Sequence, residues 1–249
     1  MRLINWNISI HNWNIEKALK NILSHTPDIL CIQELPERGI DYLKKIPGYE
    51  LVYCFDNKTD KISRTAFLAI LTRYKILTTG TYDYGQYALT PLMEKLFGGK
   101  QGKSLYVDVD INGKVRRIHT LHLTWPVRPG IRIAEFSRFL DVAKPGNTEL
   151  VCGDLNTFGK FKNNFLAYFL FGYNRQDLFT NEKNIFKDFF QKFEWQNPFE
   201  GTVSPTWPWR FSRAQLDYIL VPQNMIVKNK LLLKKSYGSD HHPQMVDLE

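Results

Sequence analysis

Four places along the chain put polar, metal-capable side chains where an apolar run gives way to a loop. Asn7 closes "NWN", Glu34 follows "ILCIQ", Asp154 and Asn156 follow "ELVCG", and Asp240 with His241 precedes the closing run "PQMVDLE". If the strands that carry them share one sheet edge, their carboxylates converge. Carboxylate and amide oxygens are hard ligands that suit Mg²⁺ or Mn²⁺. Magnesium takes one or two protein carboxylates and keeps its waters for substrate phosphates. Zinc fits less well, because no thiolate or histidine pair has zinc-ligand spacing. Each residue alone has a plainer reading. Asp154 or Asn156 could serve a turn, Glu34 could be a loop charge, Asn7 could bond a neighbouring strand, and His241 could be an ordinary surface histidine. The chemistry rests on the ordered set. His241 and His242 are adjacent, but successive side chains of an extended chain point to opposite sides, so the two are not expected to share one site.

Strands and helices must bring these residues together. "RLINWNISI" alternates and reads as a strand; "NIEKALKNILSH" has Ile15, Leu19, Ile22 and Leu23 at helical spacing. "DILCIQE" is a continuous apolar run, expected as a strand buried on both faces. "RGIDYLKKI" reads as a short helix stopped by Pro47-Gly48, and "YELVYCF", "TAFLAILT" and "KILTTGTYDY" as strands. "SLYVDVDI" and "KVRRIHTLHL" flank Asn112-Gly113, a strong hairpin signal. "RIAEFSRFLDVA", "KNNFLAYFLF" and "NIFKDFFQKF" read as helices. "TELVCGD", "AQLDYILV", "IVKNKLLLKK" and "PQMVDLE" read as strands. The mixture predicts sheets packed together with helices outside, in a single α/β domain over residues 1–249.

The 249 residues carry a net charge of +8. That excess suits a polyanion, nucleic acid or a phospholipid surface, and equally a protein that simply places lysines on every exposed face. The three cysteines have no CxxC spacing. Cys31 and Cys152 lie in apolar runs and read as buried strand thiols, which suits a reducing, cytoplasmic setting. The N-terminal stretch is broken by Asn and His and reads as neither a signal peptide nor a span. The longest apolar run, Phe165 to Tyr173, is too short to cross a bilayer. Phe186, Phe189, Phe190 and Phe193 recur at helical spacing and predict a helix packed on the core. The sharper readings of this Phe-rich region are a base-stacking platform or a membrane-docking face.

In order, "NWN", "QE", "HL", "GDLN", "LDYIL" and "SDHHP" resemble the endonuclease/exonuclease/phosphatase superfamily, over essentially the whole chain. The resemblance implies a four-layer α/β sandwich, two mixed sheets face to face with helices outside. It implies a Mg²⁺-dependent (or Mn²⁺-dependent) phosphoesterase. Glu34 is then the main metal carboxylate, assisted by Asn7, with Asp240 near the metal in some members. Asp154 orients or deprotonates the attacking water, and Asn156 steadies the phosphate. His241 is the essential histidine and Asp217 the aspartate paired with it. His122 matches a second histidine of the deoxyribonuclease-like, sphingomyelinase-like and tyrosyl-DNA phosphodiesterase-like branches. Arg210 and Arg213 would stand at the mouth, where guanidinium forks grip phosphate; surface charge is their equal alternative. Charge and the lack of a secretion signal favour a nucleic-acid substrate. The alternatives are a phospholipid or sphingomyelin head group, an inositol phosphate, and, more remotely, a binding module without catalysis.

Overall fold

The computed structural model describes residues 1–59, 64–86, 101–125, 127–143, 149–157, 175–201 and 215–249. Its first sheet is built from β1 (Arg2–Asn7), β2 (Ile29–Pro36), β3 (Glu50–Thr59), β4 (Arg64–Thr72), β11 (Val227–Leu232) and β12 (Gln244–Leu248), in the order β11-β12-β1-β2-β4-β3. Its second sheet is built from β5 (Ile76–Gln86), β6 (Gln101–Ile111), β7 (Lys114–His122), β8 (Glu149–Asp154), β9 (Trp195–Gln196) and β10 (Asp217–Pro222), in the order β5-β6-β7-β8-β10-β9. Five helices are described: α1 (Ile15–Leu23), α2 (Glu37–Leu43), α3 (Pro129–Val142), α4 (Arg175–Phe179) and α5 (Glu182–Lys192).

The sheets pack face to face. Leu3, Ile29, Cys31, Leu68 and Ile70 of the first meet Leu105, Val107, Ile118, Leu150, Cys152 and Ile219 of the second in one buried cluster. The helical spacing of Ile15, Leu19 and Ile22 lays α1 on the outer face of the first sheet, beside Ile40 and Leu43 of α2. Phe136 and Phe139 of α3, with Phe186 and Phe190 of α5, cover the second sheet. Helix, sheet, sheet, helix makes the expected four-layer sandwich. The phenylalanines of α5 are core residues, as their spacing predicts; the "KNNFLAYFLF" helix lies outside the described residues. α3 and α5 are also joined by a fully buried ion pair, Arg132 Nε to Glu182 Oε1 at 2.8 Å.

Two parallel pairs fix where the site forms. β1 runs parallel to β2 with Asn7 opposite Gln33, and β7 runs parallel to β8 with His122 opposite Asp154. A parallel pair needs a crossover; α1 lies between β1 and β2 in the chain, and α3 between β7 and β8. Asn7 at the end of β1 donates to Asp154 at the end of β8, so both pairs finish at the same end of the sandwich. β10 starts there too, antiparallel to β8, with Asp217 opposite Asp154. Asn112 and Gly113 close the β6–β7 hairpin with φ of 55° and 78°, the left-handed pair that a two-residue hairpin turn requires.

Candidate active site

Asp154 is the hub. Burial is almost complete, and its Oδ2 accepts a hydrogen bond from Asn7 Nδ2 at 2.9 Å. Its Oδ1 accepts from the Asn156 amide at 2.9 Å, so the turn role is real and coexists with the site. Gly153 lets β8 approach β7 closely: a Cβ there would lie 2.3 Å from the Leu121 carbonyl oxygen. Asn156, in left-handed backbone at φ 51°, turns its Nδ2 back to the Leu123 carbonyl oxygen.

Two histidines point at Asp154. His241 Nε2 is 3.8 Å and His122 Nε2 4.0 Å from Asp154 Oδ2. Each ring is held from behind by a buried carboxylate. Asp217 Oδ2 is 2.8 Å from His241 Nδ1, and Asp56 Oδ2 is 2.8 Å from His122 Nδ1. Both pairs bridge the two halves: β7 and β10 of the second sheet supply His122 and Asp217, β3 of the first supplies Asp56, and His241 comes from the loop that leads into β12. Burial alone would push each imidazole toward neutrality, but the carboxylates win. His122 is pushed up to about 9, chiefly by Asp56, then Glu34 and Asp154. His241 is pushed up to about 10, chiefly by Asp217, then Asp154 and Asp240. Asp154 itself is pushed up to about 6, first by burial and then by Asp217, against the pull of His241, His122 and Asn7.

Glu34 stands at the open side. Its Oε2 accepts the Ile10 amide at 3.1 Å, and its Oε1 lies 3.7 Å from His122 Nε2. Two register shifts aim the acidic residues inward. β2 is irregular between Ile32 and Leu35, and β3 between Phe55 and Asn57, both against β4. Glu34 and Asp56 are the residues these bulges displace, and Glu34 adopts φ 54°. Bulges commonly re-aim a side chain beside a site, and a non-glycine residue in that region stores strain.

The sequence-predicted residues Asn7, Glu34, His122, Asp154, Asn156, Asp217 and His241 thus meet at one end of the sandwich. Asp240 is exposed; its influence is felt through the charge of His241. His242 is half-buried next to it. Arg210 and Arg213 lie outside the described residues. Asp56 was not anticipated, although it follows "YELVYCF" as Glu34 follows "ILCIQ". Nor was the polar layer beneath the site, where Gln33 Nε2 donates to Asn5 Oδ1 and Thr120 Oγ1, both at 2.8 Å. α3 also holds backbone on this side of the site: Glu135 accepts the Thr124 amide at 2.8 Å, and Arg132 Nη1 donates to the Val127 carbonyl.

A donor atom from each of Asp154, Asp217 and His241 fits within 4.8 Å of the others. That trio is a poor cation cage. Its Asp217 oxygen is engaged by the ring, and a protonated imidazole has no lone pair to give. Glu34, partly open to solvent and 3.7 Å from His122 Nε2, is a carboxylate of the hard-oxygen type that suits Mg²⁺.

The Endonuclease/Exonuclease/phosphatase family profile matches residues 12–241. The chain belongs to this family. Its members are hydrolytic phosphoesterases, generally dependent on a divalent metal. No curated protein matches the chain by sequence. Among solved structures, the chain resembles an endonuclease/exonuclease/phosphatase from Beutenbergia cavernae DSM 12333, with TM-score 0.74 and 15% identity over all of this chain and 71% of that one. It resembles TDP2 of D. rerio complexed with a single-strand DNA product, with TM-score 0.67 and 17% identity over all of this chain and 98% of that one. It also resembles a mannosyl-6-phosphatase of Bacteroides thetaiotaomicron VPI-5482, with TM-score 0.66 and 15% identity over all of this chain and 99% of that one. At these identities the likeness speaks for the fold alone. No helix among the described residues is long and apolar enough to cross a membrane.

Proposed function

We propose that the protein is a Mg²⁺-dependent phosphodiester hydrolase acting on nucleic acid, with residues 1–249 as one catalytic domain. The observation that carries this is the pair of carboxylate-backed histidines aimed at Asp154, at 3.8 and 4.0 Å. Hydrolysis of a diester needs a group that accepts a proton from water and groups that hold the negative charge spreading over phosphoryl oxygens. Asp154, pushed only to about 6, is ionised at neutral pH and accepts that proton. His122 and His241 are charged there and donate from Nε2 to phosphoryl oxygens, where fixed donors in a buried site count most. Asp56 and Asp217 hold the rings in place and keep them charged. Asn156 steadies Asp154 through its amide. Glu34, with Asn7, would hold the cation, which supplies Lewis-acid neutralisation of phosphoryl charge when bound. The net charge of +8 supports a polyanionic substrate such as nucleic acid.

The test is a substrate panel of plasmid DNA, abasic and 5′-tyrosyl oligonucleotides, RNA, sphingomyelin, inositol phosphates and a sugar 6-phosphate, each with Mg²⁺ and with EDTA. Nucleic acid is expected to be cleaved with Mg²⁺ and left intact in EDTA. Turnover of a phosphomonoester or lipid with nucleic acid untouched would overturn the nucleic-acid reading; EDTA-resistant turnover would overturn the metal.

A further inference from the structure

β3 is an edge strand of the first sheet. Val52 and Cys54 face the inner core, so alternation sends Tyr53 and Phe55 to the outer face. They are 40% and 44% exposed there, large values for aromatic rings. Phe67 of β4 lies between them and the covered part of the sheet, opposite Phe55 on one side and Leu35 on the other. Its ring meets Tyr53 edge-on at 5.7 Å.

Cations line this aromatic ridge. Lys44, at the end of α2, places Nζ 5.3 Å from the Tyr53 ring centre, and Lys103 of β6 places Nζ 5.2 Å from that of Phe55. Their acidic neighbours are Asp41 at 4.0 Å and Asp83 at 3.1 Å, both more than half exposed. The Lys44 pair is exposed on both sides and weak, so an incoming phosphate competes for it, whereas Lys103 is itself only 16% exposed and offers its charge from the rim of the ridge. The ridge also joins the site. Phe55 precedes Asp56, the residue that holds His122, and Lys103 is in register with His122 itself.

We propose that this ridge binds single-stranded nucleic acid leading away from the scissile phosphate, with bases stacked on Phe55 and Tyr53 and phosphates on Lys103 and Lys44. Two residues of strand separate the rings by about 7 Å, a spacing that an extended strand can follow and a stacked duplex cannot. Exposed rings interleaved with cations are what sequence-tolerant single-strand binding uses. The proposal rests on the nucleic-acid reading of the site.

The test is binding of a fluorescent oligo(dT) and of a duplex of equal length, both in EDTA so that nothing is cut. Tyr53→Ala and Phe55→Ala are each expected to weaken single-strand binding by about five- to a hundredfold, with duplex binding little changed. Tyr53→Phe and Phe55→Tyr keep the rings and should hold the affinity. Lys44→Ala and Lys103→Ala should each flatten the salt dependence by about 0.7 in the log–log slope. These four variants carry the test should an alanine variant fail to fold. Unchanged single-strand affinity, or equal loss on duplex, would overturn the ridge. So would variants that release anionic phosphatidylserine vesicles but not the oligonucleotide. Hydrolysis of bis-p-nitrophenyl phosphate by the wild-type protein, which needs no base contact, tests the hydrolase reading separately.

Discussion

The two histidine–aspartate pairs share their geometry and differ in their setting. Both close at 2.8 Å, both bridge the two halves, and both aim at Asp154. Asp217 begins β10, between β8 and β9, with no exposure, and its backbone carbonyl accepts Gln244 Nε2. Asp56 sits in a bulge of the edge strand β3, and its histidine also faces Glu34 at 3.7 Å. One pair is therefore built into the interior of a sheet. The other is assembled at an edge, beside the proposed cation position. On the proposed mechanism the same device would do two jobs: His241–Asp217 would be the fixed donor, and His122–Asp56 would be coupled to a cation on Glu34.

Substitutions of the rings should separate these jobs most strongly. His241→Ala is expected to lower kcat for diester hydrolysis by about 10²–10⁴-fold, the range of a lost proton-transfer or charge-stabilising group. His122→Ala should cost about 10²–10³-fold, like a lost oxyanion donor, and should also raise the Mg²⁺ concentration needed for half-maximal rate. A metal dependence that moves with His241 instead would contradict this division of roles.

The aspartates give a smaller and more diagnostic effect. Activity should rise as Asp154 ionises near pH 6 and fall as pH rises through about 9, where His122 loses its proton, before His241 follows near 10. Asp56→Asn removes the main charge that raises His122, so the falling limb should move to lower pH. Asp217→Asn should act instead on the later deprotonation of His241. Rate–pH profiles of the two variants check this; identical shifts would mean that the pairs titrate as one unit.

Stability carries the smallest signal. A histidine raised above its ordinary value of 6.5 adds stability that is fully present below that pH and is lost as pH rises through the folded value, about 9 for His122. Melting of wild type against Asp56→Asn should therefore differ most below pH 6.5 and converge above 9. A gap that widens with pH would contradict the charged state of His122.

The same contrast explains what could be read in advance. Parallel strands ending in polar residues made Asn7, Glu34 and Asp154 visible, because a buried apolar run has no reason to finish in a carboxylate unless the loop uses it. Asp217 came from the resemblance of "LDYIL" to the family pattern, and its place in a buried apolar run agreed with that. The Asn112-Gly113 hairpin and the α1 and α5 faces followed from local rules of turn and period. Asp56 escaped because it lies beside a bulge, and a bulge is decided by how β3 and β2 both pair with β4, not by the residues of β3. The Gln33–Asn5–Thr120 layer escaped for a related reason. Its partners come from three strands in two sheets, and nothing local marks them. β9, two residues long, carries too little periodicity to be seen at all.

The proposed role of Asp154, flanked by two charged histidines, is to drive phosphodiester hydrolysis with a divalent cation. It is tested most directly by the rate of bis-p-nitrophenyl phosphate hydrolysis at pH 7.5 with Mg²⁺, comparing wild type with Asp154→Asn. The account predicts Mg²⁺-dependent turnover by the wild type and a loss of about 10²–10⁴-fold in a variant that keeps the fold but cannot accept the proton. Equal rates in the two proteins would contradict it.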